Sequence, residues 1–276
     1  MKELIVKFIG GYYNCISYLS KSRAADKALY LFTKPRNGRK LTDEQREFLG
    51  TAFQKEYKFG EYDIMTYRWL GSKPTILLVH GWESNSYRWR NLVCELKKRG
   101  HNVVALDAPA HGKSGSQFFN AILYSEFINV VATRFQPEII IGHSVGGMST
   151  AFFQNKYQLE SVKKLILLGA PSEFTDVLKR YTDMLGYNQR ITNQLNLTIV
   201  ERFGDKPENF STAKYLGNIN SKGLIIHDEL DTIIPYSDAL LLKNSFKNST
   251  LITTKGLGHS LNHESVSDHI YAFIEN

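Results

Sequence analysis

At 276 residues, 42% of them hydrophobic and 22% charged, the chain can bury the core of one sizeable α/β domain, and its composition excludes a disordered or fibrous protein. The formal net charge is +7 and the pI about 9.2. Nine Lys/Arg and only two acids fall within the first 40 residues, so the excess belongs to an N-terminal arm and the neutral remainder argues against a nucleic-acid-binding body. The two cysteines, Cys15 and Cys94, form neither a disulfide framework nor a ligand pattern, and a reducing, cytoplasmic compartment is the expectation.

The first predicted element is a helix, because Leu4, Ile5, Phe8, Ile9, Tyr12, Tyr13, Ile16 and Leu19 recur at helical spacing. Lys7 interrupts the apolar run, Gly10-Gly11 weakens it, and no small-residue cleavage site follows, so a signal peptide is not expected. The stretch is also too short and too polar to span a bilayer. A basic amphipathic helix of this kind either allows peripheral membrane contact or packs on the body. Residues 24–32 continue helical, and Pro35 and Gly38 punctuate a basic turn. Thr42 and Gln45 have capping-box spacing for a helix ending near Gly50. Residues 1–54 are thus expected to be a helical extension and residues 55–276 the main domain.

Strands begin near Tyr57, with residues 62–70 the next strand after a turn at Gly60. Residues 75–79 form an unbroken apolar run, which suits a strand covered on both faces, and the run ends in His80-Gly81-Trp82. A helix carrying Trp89, Leu92, Val93 and Leu96 stops at Gly100. Strand 102–106 leads into the turn Asp107-Ala108-Pro109-Ala110-His111-Gly112-Lys113-Ser114. After a helix around residues 122–131, strand 138–141 enters Gly142-His143-Ser144-Val145-Gly146-Gly147, and helix 147–157 leaves it. Strand, sharp turn, helix is the context in which G-x-S-x-G has meaning: the serine hydroxyl is lifted off the sheet, and glycines stand where side chains would collide. After strand 165–168 the alternation lapses over about residues 172–221, a length expected of a functional lid. Within it, Tyr181, Met184, Leu185 and Tyr187 suit either an apolar acyl site or a core. Strand 223–226 precedes His227-Asp228-Glu229-Leu230-Asp231, and after a helix at residues 237–246 the last strand, 250–253, precedes Gly258-His259-Ser260. A helix from about 263 to 274 closes the chain. Strands alternating with helices predict a mostly parallel central sheet covered on both faces.

From about residue 62 onward, His80-Gly81-Trp82, the Asp107–Ser114 turn, Gly142–Gly146, Asp231 with Pro235, and His259 together resemble the α/β-hydrolase family of serine, esterase- and lipase-like hydrolases. The resemblance implies the family's fold, with a helical lid insertion and here an extra N-terminal helical segment. It also implies a triad in the order Ser144, Asp231, His259: nucleophile, orienting acid and base. Asp228 competes with Asp231 for the acid, and Asp231 is preferred because it precedes a proline by four positions; Glu173 is a more distant rival, and His263, at or inside a helix start, is the nearest competitor for the base. The backbone N–H groups of Trp82 and Val145 are the implied oxyanion donors. Ala110 departs from the glycine common at that turn position. His111 and His143 are expected to be structural.

A serine at position 144, rather than the aspartate of dehalogenases and many epoxide hydrolases, implies acyl transfer to water from an ester or related acyl bond. The expected partner is a small acyl substrate, with no nucleic acid, no cofactor and no metal. A non-catalytic ligand-binding member of the fold and a membrane-docked lipase or thioesterase are the competing readings.

Overall fold

A computed structural model describes residues 2–276, with side chains described from Leu4 onward; the side chains of Lys2 and Glu3 in the basic arm lie outside that range, as does Met1. In chain order the helices and strands are α1 (Lys2–Leu19), α2 (Lys21–Thr33), α3 (Asp43–Gly50), β1 (Phe53–Phe59), β2 (Tyr62–Trp69), β3 (Lys73–Val79), α4 (Arg90–Lys98), β4 (His101–Leu106), α5 (Ala121–Phe135), β5 (Ile139–His143), α6 (Val145–Tyr157) and β6 (Lys164–Leu168). They continue as α7 (Phe174–Leu185), α8 (Gln189–Phe203), α9 (Thr212–Leu216), β7 (Lys222–Asp228), α10 (Tyr236–Ser245), β8 (Ser249–Thr254) and α11 (Glu264–Glu275).

The chain divides into two compact units: the segment up to Lys34 together with Glu173–Ser211, and Pro35–Ser172 together with Thr212–Asn276. The larger unit holds a sheet of order β1-β2-β4-β3-β5-β6-β7-β8. Only β1 with β2 and β2 with β4 pair antiparallel; every other pairing is parallel. Each parallel strand must therefore be regained by a crossover, and the helices between strands end up on both faces.

The apolar run of β3 shows why both faces are covered. Leu77 and Val79 point to a core shared with Tyr124, Phe127 and Val131 of α5 and Ala151 and Phe153 of α6. Ile76 and Leu78 point to the opposite core, shared with Leu92, Val93 and Leu96 of α4 and Val266 and Ile270 of α11. All four β3 side chains are fully buried, each stabilising the fold by roughly 1.5–3 kcal/mol.

Two boundaries differ from the sequence expectation. The sequence predicts a helical extension over residues 1–54, but α3 packs with the sheet: Leu49 is 2% exposed and shares a core with Met65, Tyr67 and Trp69. Its Thr42–Gln45 capping box forms as the spacing predicted. The long connection, expected over about 172–221, likewise returns to the sheet unit at α9, whose Ala213 and Leu216 join the core on the α5–α6 face.

The smaller unit has its own core. Ala24, Ala25, Ala28 and Leu29 of α2 pack against Leu178 of α7 and Ile191, Leu195 and Ile199 of α8. Helix α1 runs unbroken through Gly10-Gly11, because Gly10 lies directly against the Leu185 carbonyl, where a Cβ would stand 1.6 Å from the oxygen. Tyr181 and Tyr187 pack against this core, and the Tyr181 hydroxyl donates to the Ala28 carbonyl at 2.7 Å. Leu185 is buried as well, so packing accounts for these three side chains, whereas Met184 is 57% exposed.

Candidate active site

The turn between β5 and α6 bends on one residue. Ser144 has φ 54 and ψ −129, a backbone state that costs a non-glycine residue on the order of 1–3 kcal/mol. Its surroundings hold it there: the Ser144 N–H donates to the Leu168 carbonyl at 2.8 Å, and its own carbonyl accepts from the Gly147 N–H at 2.9 Å. The flanking glycines are required by contact, since a Cβ at Gly142 would stand 2.7 Å from the Gly147 Cα and one at Gly146 would stand 2.4 Å from the His80 carbonyl oxygen.

Three loops at the C-terminal ends of β5, β7 and β8 bring Ser144, Asp231 and His259 together. The His259 Nε2 is 3.0 Å from the Ser144 Oγ, and its Nδ1 is 2.7 Å from the Asp231 Oδ2. The carboxylate fixes the tautomer: Nδ1–H donates to Asp231, leaving the Nε2 lone pair to accept the serine proton. Asp231 Oδ1 accepts from the Ile233 and Ile234 N–H groups at 2.8 and 3.0 Å. Burial alone would raise the Asp231 pKa, but the His259 hydrogen bond and these two N–H donors outweigh it and hold the pKa below its ordinary value.

Asp228 is occupied elsewhere. It accepts from the Thr254 hydroxyl at 2.8 Å, the Leu257 N–H at 2.9 Å, the Gly256 N–H at 3.2 Å and the Leu230 N–H at 3.0 Å. It thereby ties the loop that carries His259 to the end of β7. Burial would raise its pKa, yet these donors bring it down to about 2. A depressed carboxylate contributes stability that is complete above the ordinary value of 3.8 and is lost as pH falls through about 2. Between those pH values, the thermal midpoint of Asp228→Asn is therefore expected to fall less steeply than that of the wild type; parallel curves would show that the charge does not hold the loop.

Other polar contacts around the site carry no obvious sequence signal. The His143 Nε2 donates to the His259 carbonyl at 2.9 Å, and burial drives its pKa well down, so the ring is neutral. Arg88 donates to the Ser260 carbonyl at 2.6 Å. The His227 Nε2 donates to the Ile234 carbonyl at 2.9 Å and lies 3.5 Å from the Asp231 Oδ2, bracing the acid turn from below. His80 donates from Nδ1 to the Gly81 carbonyl at 2.8 Å and accepts at Nε2 from the Ala108 N–H at 2.9 Å; burial lowers its pKa to about 4. Buried Asp107 accepts from both the N–H and the hydroxyl of Ser86, at 2.9 and 2.7 Å, and so joins the segment after β3 to the loop after β4.

The remaining sequence candidates fall as follows. Val145 is the first residue of α6, so its N–H lies in the helix turn that has no intrahelical acceptor. Trp82 is half-buried and packs edge-on to His111 and Phe119, while the preceding Gly81 abuts Ser144: a Cβ there would stand 2.9 Å from the Ser144 Cβ. His111 Nε2 accepts from the Glu83 N–H at 3.0 Å and serves the turn. His263 caps α11, and Glu173 accepts from the Ser211 hydroxyl at 2.7 Å within the smaller unit, so neither joins the Ser144–His259–Asp231 contacts. Ala110 has φ 63, which explains why glycine suits that position. Ala110→Gly is expected to stabilise the protein by up to about 1 kcal/mol, seen as a higher urea midpoint, because relieved strain exceeds the added chain entropy.

Among the described residues no group of three or more His, Cys, Asp or Glu side chains could hold a metal ion, and no helix is long and apolar enough to cross a membrane.

Comparison with known proteins places the molecule. A family model for the alpha/beta hydrolase fold matches residues 74–207. The AB hydrolase superfamily protein YisY of Bacillus subtilis is 23% identical over 242 residues, covering 71% of this chain and 88% of that protein. The bifunctional esterase/perhydrolase DCH of Acinetobacter calcoaceticus is 30% identical over 102 residues, covering 35% of this chain and 37% of that protein. Against two further relatives, from Synechocystis and Drosophila melanogaster, the chain spans 52% and 40% of their lengths. A solved bromoperoxidase from Bacillus anthracis is similar with a TM-score of 0.63 and 19% identity, over 81% of this chain and 100% of that chain. With its sheet order, its serine turn between β5 and α6 and these matches, the chain has the α/β-hydrolase fold.

Proposed function

We propose that the protein is a serine hydrolase that cleaves a carboxylic ester, or a closely related acyl bond, through an acyl-enzyme. The observation that carries this is the continuous set of contacts from Ser144 Oγ to His259 Nε2 at 3.0 Å and from His259 Nδ1 to Asp231 at 2.7 Å, on a serine held at φ 54. A relative named as an esterase supports the same reaction class.

In this mechanism the Ser144 oxygen attacks the acyl carbonyl carbon as its proton passes to His259 Nε2. The carbonyl electron pair moves onto oxygen, where the Val145 and Trp82 N–H groups receive it; one such donor is typically worth about 10²–10³ in rate. Collapse of the intermediate breaks the bond to the leaving group, which takes the proton from His259. Water then repeats the sequence against the acyl-serine: it gives a proton to His259, and the proton returns to Ser144 as the acid departs. Asp231 stays ionised throughout and stabilises the imidazolium. The substrate is a small acyl compound.

Stopped-flow mixing with p-nitrophenyl esters of graded acyl length tests this. A burst of nitrophenolate approaching one equivalent per chain, followed by slower turnover, is expected for at least one ester. A panel of esters and thioesters that gives neither burst nor turnover would contradict it.

A further inference from the structure

Helix α1 has two apolar faces, and only one is packed. On the inner face, Tyr13 and Ile16 pack against the core of the smaller unit. Asn14 donates to the Gly186 carbonyl at 2.8 Å and accepts from the Asn188 N–H at 2.8 Å, and buried Ser17 accepts from the Asn188 side chain at 3.0 Å. These contacts fix the rotation of the helix. The other face is consequently held outward: Leu4, Ile5, Phe8, Tyr12, Tyr18 and Leu19 are 73, 55, 78, 55, 70 and 91% exposed. Their spacing is that of one helical stripe, about four turns long. Isolated apolar residues on a surface are ordinary, but a contiguous stripe of this length marks a surface that something covers.

Charge identifies the cover. Residues 1–34 hold six Lys/Arg and two acids. Exposed Lys7 borders the stripe, and the Arg190 guanidinium sits 5.1 Å over the ring of Tyr18 on the same border. No acidic residue lies within residues 4–19. Apolar side chains bordered by cations, with tyrosines whose hydroxyls favour the wet edge, match a lipid surface bearing negative headgroups. The helix is not apolar enough to cross a membrane, so it would lie in the plane of the interface.

We infer that the outward face of α1 docks the protein on an anionic lipid bilayer. The apolar stripe enters the boundary between headgroups and acyl chains, and the bordering cations remain among the headgroups. Docking does not depend on the chemistry proposed for Ser144, and its test reads binding alone.

Cys15 is exposed on this face and reports directly on it; Cys94, the other free thiol, is removed as Cys94→Ser. The full chain, labelled at Cys15 with an environment-sensitive nitrobenzoxadiazole, is mixed with phosphatidylcholine vesicles with and without phosphatidylglycerol. Expected are a blue shift, quenching by nitroxide-labelled lipid and co-sedimentation, all requiring phosphatidylglycerol and weakened by salt. Phe8→Asp should weaken partition by about tenfold or more with helix content retained by circular dichroism. Lys7→Glu should weaken binding to the anionic vesicles by a smaller factor. Absence of binding to the anionic vesicles, or binding unchanged in Phe8→Asp, would overturn the inference. So would a lipid-independent blue shift that tracks dimer formation in light scattering, which would assign the face to a second copy of the chain.

Discussion

Ser144→Ala is expected to lower kcat/KM for an activated ester by about 10⁴- to 10⁶-fold. The substitution removes one oxygen, the atom 3.0 Å from His259 Nε2, and leaves no other nucleophile in its place. It should do so without unfolding the turn. The positive φ of residue 144 is imposed by backbone contacts to Leu168 and Gly147, and alanine meets the same strain as serine. Thermal unfolding of Ser144→Ala should therefore match that of the wild type within a few degrees, which separates lost chemistry from lost structure. Retention of more than about a hundredth of wild-type activity would exclude Ser144 as the nucleophile.

Asp231→Asn is the second large effect, about 10⁴-fold in kcat, with KM little changed. The amide removes the charge that stabilises the imidazolium and no longer enforces the tautomer in which Nε2 is free to accept. Asp228→Asn provides the contrast. Its carboxylate faces the Thr254 hydroxyl and the backbone of Gly256 and Leu257, so the substitution disturbs the carriage of His259 rather than the proton transfer. An effect of about tenfold or less is expected there, accompanied by a lower thermal midpoint. A larger kinetic loss in Asp228→Asn than in Asp231→Asn would exchange the roles of the two aspartates.

Much of this was legible in the sequence because local pattern and tertiary role coincide. The run at 76–79 is apolar at every position since both sheet faces are covered, and it becomes the buried half of β3. Ser144, Asp231 and His259 each follow a strand, and the parallel pairing brings those strand ends to one edge. Strand β1 began earlier than expected, at Phe53 rather than near Tyr57, because its first four residues are exposed on an edge and carry no burial signal. The smaller unit was not legible as a unit: α1 meets the turn after α7 through Asn14 and Gly186, partners 172 residues apart, and such pairings leave no local trace. The partners of the site's supporting side chains were not legible either. Asp228, His227 and His143 act largely through backbone N–H and carbonyl groups, and which of those a side chain meets is set by loop conformation rather than by residue type.

Whether Ser144 is the activated nucleophile of the site is read out by reaction with a fluorophosphonate followed by mass mapping of the digested protein. One adduct is predicted, on the peptide containing Ser144, absent in Ser144→Ala and strongly slowed in His259→Ala. An adduct on a different serine, or labelling that persists in Ser144→Ala, would contradict the account.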